Sequence, residues 1–139
     1  MSRVLYEYAV LQVVPRPERG ETINAGVLVY CRARDFLGGA VHLDRARLAA
    51  LDPHADADAI TDLLETVVAV CAVPDAARAD RRTEGALAAS GPGVGEDLGR
   101  RFRRLTAPRS TVVRPGPVHS GLTLDPALEP DRLLKALVH

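Results

Sequence analysis

The stretch from Arg3 to Leu43, RVLYEYAVLQVVPRPERGETINAGVLVYCRARDFLGGAVHL, decides the fold. Residues 3–14 are rich in valine, tyrosine and leucine, side chains that pack well on a pleated surface, and Pro15 and Pro17 close the run. The polar segment Pro15-Arg16-Pro17-Glu18-Arg19-Gly20-Glu21 reads as a loop into a second strand. That strand, Ile23 to Ala33, is apolar on both faces from Ala25 to Cys31, the pattern of a central strand covered on two sides. Arg34-Asp35 then connects tightly to a third strand, Phe36 to Leu43. Three consecutive strands with short links predict an antiparallel meander.

Outward from this stretch the periodicity changes. Asp44 is placed to cap a short helix carrying Leu48 and Leu51. Beyond Pro53, the apolar positions Ile60, Leu63, Leu64, Val67, Val68 and Cys71 recur at spacings of three and four, an amphipathic helix that Pro74 ends. Residues 75–94 are rich in alanine, arginine and glycine with weak periodicity, which predicts a partly helical or mobile connection, with Ser90 to Gly95 as a loop. A shorter helix from about Glu96 to Leu105 turns Leu98, Phe102 and Leu105 inward, and Arg100, Arg101, Arg103 and Arg104 crowd its remaining surface. Ser110 to Arg114 is β-like; Pro115 and Pro117 end it or place it at a sheet edge. Asp125-Pro126 opens a final helix with Leu133, Leu134, Leu137 and Val138 as its buried stripe. The expected product is a single domain over residues 1–139, α+β in class, with an antiparallel sheet of three to five strands and helices packed mainly on one face.

Composition narrows the function classes. With 139 residues, 47% of them apolar and 26% charged, the chain has ordinary globular usage and length for one hydrophobic core. Its formal net charge is zero, so no overall field recruits nucleic acid or an anionic membrane. Lys135 is the sole lysine, a bias expected of a GC-rich bacterial genome rather than of a function. Cys31 and Cys71 each fall in an apolar periodic segment, where a free thiol behaves as a small hydrophobe. No signal-peptide pattern opens the chain and no apolar run approaches membrane-spanning length, so a reducing cytoplasm is the expected compartment.

Two polar blocks could carry chemistry. In the first, Arg19, Glu21 and Asn24 stand at the start of the second strand; simple alternation places Asn24 with Gly26 on one face and Ile23, Ala25 and Val27 on the other. The alternative for this block is a loop clamp in which Arg19 pairs with a carboxylate and Asn24 satisfies backbone groups. The second block joins Arg109, Ser110 and Thr111 to His119, a guanidinium, two hydroxyls and an imidazole that could hold a phosphate or carboxylate. Asp125 before Pro126 reads instead as a helix cap.

Other signals carry less. Asp52, His54, Asp56 and Asp58 alternate as in a metal loop, but an EF-hand starting at Asp52 needs glycine and glutamate where this chain has Ala57 and Leu63, so these acids read as helix-capping groups. Gly91-Pro92-Gly93-Val94-Gly95 matches neither a dinucleotide fingerprint nor a P-loop. The four histidines show no ligand spacing, so neither a metal nor a cofactor is expected. The arginines at 78, 81, 82, 100, 101, 103 and 104 could form a basic stripe, but the one nearby aromatic, Phe102, is needed in the core and none is free for base stacking, which argues against nucleic acid.

Four ordered segments, Tyr8-Ala9-Val10-Leu11, Arg19 to Val27, Leu105 to Thr111 and Pro117 to Thr123, together resemble the bacterial family catalogued as domain of unknown function 3037. The family often carries an aromatic residue where this chain has Arg104. The resemblance implies no established activity. It does imply a partner, because genes of this family often neighbour one for a HipA-like kinase. The expectation is therefore an accessory module that acts with a protein partner. The alternative is a small enzyme or binding domain in which Arg19, Glu21, Asn24, Arg109, Ser110, Thr111 and His119 converge on an anionic group. A homo-oligomer would rest on an open sheet edge.

Overall fold

In a computed structural model of the chain, residues 2–73 and 97–139 are described. The helix stop expected at Pro74, the connection over 75–94 with its loop from Ser90 to Gly95, and a helix start at Glu96 lie outside these residues. The meander forms as expected: β1 (Val4–Val13), β2 (Ile23–Cys31) and β3 (Phe36–Val41) pair antiparallel in sequence order. The β2–β3 link turns at Asp35, which takes a left-handed φ of 51° that aspartate tolerates better than most residues. A fourth strand, β4 (Val113–Thr123), adds antiparallel to β1 and gives the order β3-β2-β1-β4. The fold class is α+β.

β4 departs from the sequence expectation. It continues through Pro115 and Pro117 for 11 residues instead of ending there. It can do so because it is an edge strand, where a missing N–H on the outer side breaks no ladder, and because one extra residue of β4 is absorbed between the pairs Ala9↔Val118 and Leu11↔Pro115.

Helices cover both faces, unequally. α1 (Arg45–Leu51), α2 (Ala57–Cys71) and α3 (Leu98–Leu105) pack on one face, each opened by an aspartate whose carboxylate accepts a backbone N–H of the first turn: Asp44, Asp56 and Asp97. Their Leu48, Ile60, Leu64, Cys71, Phe102 and Leu105 form one core with Leu11, Val13, Leu28 and Leu37 of the sheet. On the other face α4 (Glu129–Leu137), entered through a short 3₁₀ turn at Pro126–Leu128 that Asp125 caps, sets Leu133 against Tyr6, Val27, Val29 and Cys31. Of the stripe expected on this helix, Leu133 and Val138 are buried, whereas Leu137 is exposed. Burial of β2 on both faces follows directly. The two cysteines are free and sit in different cores, and burial pushes the Cys71 thiol up to about 11, so it remains protonated.

Two local departures position side chains that matter below. A bulge interrupts the β1–β2 register, with Leu11 opposite Gly26 but Gln12 opposite Asn24, leaving Ala25 as the extra residue. Alternation therefore fails at this point: Ile23 and Ala25 join the α1–α3 core, Val27 joins the α4 core, and Asn24 turns toward α4. Arg101, expected on the surface of α3, is buried instead. Its guanidinium donates to the carbonyls of Val70 and Val73 at 3.3 and 2.7 Å, satisfying acceptors at the end of α2.

Candidate functional site

The two polar blocks flank the same end of the sheet, since Val13 of β1 lies opposite Ile23 on one side and Val113 on the other. They are engaged separately there. Arg19 and Glu21 form an exposed ion pair at 2.6 Å in the β1–β2 loop. Asn24 donates to the Leu137 carbonyl at 3.1 Å, tying β2 to the last turn of α4. Arg109 donates to the carbonyls of Arg104 at 2.7 Å and Ala107 at 3.4 Å, at the end of α3. It also borders, with Leu11, Val67 and Leu105, a void of about 20 Å³, room for roughly one water. Thr111 donates its hydroxyl to the Val113 carbonyl, and Ser110 is exposed. Arg109 thus sits on the α1–α3 face and Asn24 on the α4 face. His119 pairs with Tyr8, its ring 5.4 Å from the tyrosine ring, about 17 Å along β1 from Val13 at strand rise. The described cavities hold no two of these seven residues together.

A larger hollow opens at the other end of β1. It has a volume of about 550 Å³ and lies between the start of β1, the end of β2 and the first turns of α3. Leu5, Glu7, Tyr30, Arg32, Arg100 and Arg103 line it. Register places Glu7 opposite Tyr30, and Glu7 accepts two hydrogen bonds from Arg103 at 2.8 and 2.9 Å. The Tyr30 ring stacks on Phe102 at 5.4 Å, so the back of the hollow is aromatic. Its hydroxyl lies so close to the helix that a Cβ on Gly99 would stand 2.7 Å from the oxygen; only glycine leaves that room. Burial, then the nearby Asp97 carboxylate, raises the Tyr30 phenol above its ordinary value, so it stays protonated and able to donate. Among the described residues no ion pair engages Arg32 or Arg100.

Beside this hollow no described element covers the α1–α3 face of the sheet. Leu5 and Leu122 are cross-strand neighbours exposed at 60% and 61%, and Val118, opposite Ala9, is exposed on the same face beyond the Glu7–Ser120 pair. No strand pairs with the outer side of β4 among the described residues. On the opposite face, the same strands seat a polar quartet. Buried Glu129 accepts from Thr123 at 2.9 Å and from Arg132 at 2.6 Å, and Arg132 also donates to the Tyr6 hydroxyl at 3.1 Å. Burial raises the Glu129 carboxyl, but the bonds from Arg132 and Thr123 outweigh it and hold the group below its ordinary value. Leu124 and Leu128 stand exposed around the quartet.

The family described as Protein of unknown function (DUF3037) matches residues 8–138. The chain belongs to the DUF3037 family. No match is found among curated proteins or among solved structures. Within the DUF3037 span fall Arg32, Arg100 and Arg103 of the hollow and Val118 and Leu122 of the exposed face, while Leu5 and Glu7 precede it.

Sequence reasoning missed both features. The arginines of α3 appear in the sequence only as a charge run on one helix. Their meeting with Tyr30 depends on the long-range packing of α3 on β2, for which the glycine at 99 is the one local sign.

Proposed function

We propose that this DUF3037 protein is a protein-docking module whose partner adds to the open edge of β4 and covers Leu5, Val118 and Leu122. The observation that supports this reading is apolar surface that no described helix covers: Leu5 and Leu122 are exposed cross-strand neighbours, and Val118 is exposed on the same face beyond the Glu7–Ser120 pair, beside a strand edge that no described strand pairs with. Such an edge takes an extended segment by main-chain hydrogen bonding, with alternate side chains supplying selectivity. Pro115 and Pro117 have no N–H to offer, which confines addition to Val118–Thr123. The family resemblance makes a HipA-like kinase the partner to test first.

Co-expression with a HipA-like kinase, followed by size-exclusion chromatography, tests this directly. The expected result is co-elution of the wild-type chain and separate elution of the Val118→Lys/Leu122→Lys variant, with its far-UV dichroism and melting temperature unchanged. Failure of the wild type to co-elute, or co-elution of the double variant to the same extent, would refute the reading. Dimerisation of the isolated chain, lost in the double variant, would assign the edge to a second copy instead.

A further inference from the structure

The geometry of the hollow between β1, β2 and α3 leads us to infer that it binds a small organic phosphate ester. Arg32 at the end of β2, and Arg100 and Arg103 on α3, bring three guanidinium groups to one concavity whose described lining has two carboxylates, Glu7 and Asp97. Those carboxylates are occupied. Glu7 takes both of its bonds from Arg103, and Asp97 accepts the backbone N–H of Arg100 at 2.7 Å as the cap of α3. Arg16, Arg19, Arg45 and Arg47 elsewhere on the surface each have a carboxylate within ion-pair distance. Among the described residues neither Arg32 nor Arg100 has such a partner, and unlike the other described arginines without one, Arg3, Arg34, Arg109 and Arg114, both line the hollow.

The arrangement suits phosphate better than carboxylate. A carboxylate is satisfied by a single guanidinium, as Glu7 is by Arg103, whose Nη2 reaches both of its oxygens. Two guanidinium groups from separate elements, with a phenolic O–H between helix and strand, instead match the several oxygens of a tetrahedral anion. The Tyr30 hydroxyl is held against the first turn of α3 by the missing side chain at Gly99, and it stays protonated, so it supplies a neutral donor. A bare ion would leave most of the hollow empty. Its volume of about 550 Å³ falls in the range of small-molecule sites, and Tyr30 and Leu5 offer apolar surface to an organic body. A phosphate on an aromatic or other flat ring uses every part of the lining. This inference is independent of the docking reading, although Leu5 borders both surfaces.

Titration of the full ¹⁵N-labelled chain with phenyl phosphate, inorganic phosphate and benzoate at constant ionic strength tests it. Phenyl phosphate is expected to bind saturably, with amide shifts centred on Tyr30, Arg32, Gly99 and Arg100. Inorganic phosphate should move the same amides with weaker affinity, and benzoate should bind about tenfold more weakly than phenyl phosphate, the loss expected for one charge-assisted contact. Arg32→Ala with Arg100→Ala should weaken phenyl phosphate at least about tenfold on the same basis, with an unchanged melting temperature, because both side chains are exposed. Arg45→Ala with Arg47→Ala, which removes two paired arginines, should leave binding unchanged. The inference is overturned by non-saturable shifts, by full affinity in the Arg32/Arg100 variant, or by shifts spread equally over Arg45 and Arg47. Benzoate as tight as phenyl phosphate would overturn the phosphate assignment, and inorganic phosphate as tight as the ester would overturn the organic one.

Discussion

Leu5 and Leu11 stand on the same strand, point to the same face of the same sheet, and meet opposite fates: Leu11 is sealed at 1% exposure and Leu5 is left at 60%. At the Leu11 end, α1, α2 and α3 close over the sheet, with Phe102 and Leu64 completing the core. At the Leu5 end α3 stands off across a hollow, and nothing among the described residues covers Leu122 or Val118. Alternation along a strand fixes the face a side chain takes. It does not fix whether another element arrives to bury that face. The closed end is where this chain stores stability, and the open end is where apolar surface stays exposed.

Paired substitutions along β1 and α3 sharpen that contrast, and the largest effect belongs to the closed end. Phe102→Ala, at a fully buried ring, is expected to cost about 3–5 kcal/mol and Leu11→Ala about 2–5 kcal/mol in urea unfolding. Leu5→Ser should stay within about 0.5 kcal/mol of wild type, as exposed positions do. A Leu5 loss comparable to that of Leu11 would mean that the open end is covered in the native state.

Arginines give the next contrast. Arg101→Met removes the side-chain donor of the Val73 carbonyl at the end of α2 and should cost about 1.5–3 kcal/mol. Arg103→Ala removes an ion pair whose guanidinium side is 57% exposed, and should cost under about 1 kcal/mol. Equal costs would erase the distinction between a buried clamp and a surface pair.

On the α4 face, the expected effect depends on pH. Because the folded protein holds the Glu129 carboxyl below its ordinary value, its contribution to stability is fully present above the unfolded pKa of about 4.3 and disappears as pH falls through the folded value. Glu129→Gln should therefore lower stability at pH 7 and flatten the acid limb of the stability profile below about pH 4.3. An acid limb identical to that of wild type would show that the quartet does not hold this carboxylate. The smallest effect is at Gly99. Gly→Ala within a helix ordinarily stabilises by up to about 1 kcal/mol, but here the new Cβ meets the Tyr30 oxygen, so the gain should vanish and Tyr30 fluorescence should change.

Much of the architecture was legible because it is local. The apolar run of β2, the capping aspartates at 44 and 125, and the three-four spacing from Ile60 to Cys71 each state their element in a few residues. What was not legible depends on residues far apart in the chain. The bulge at Ala25 reverses the face of Asn24, and only pairing with Gln12 reveals it. Arg101 looks like one member of a surface charge run until α2 supplies the carbonyls that draw it inward. β4 runs through two prolines because the sheet places it at an edge, a fact of strand order rather than of its own sequence. The polar blocks were legible as polar, but their partners were not: Arg109 turns to the end of α3, Asn24 to the end of α4, and His119 to Tyr8.

Hydrogen exchange of the chain, alone and with the co-expressed HipA-like kinase, bears most directly on the claim that the open end is a docking surface. The backbone amides of Val118–Thr123 should exchange faster than those of β2 in the free chain and slow markedly in the complex, while the closed end is unchanged. A complex that forms with these amides unprotected, and with protection placed over α1 and α2 instead, would contradict the account.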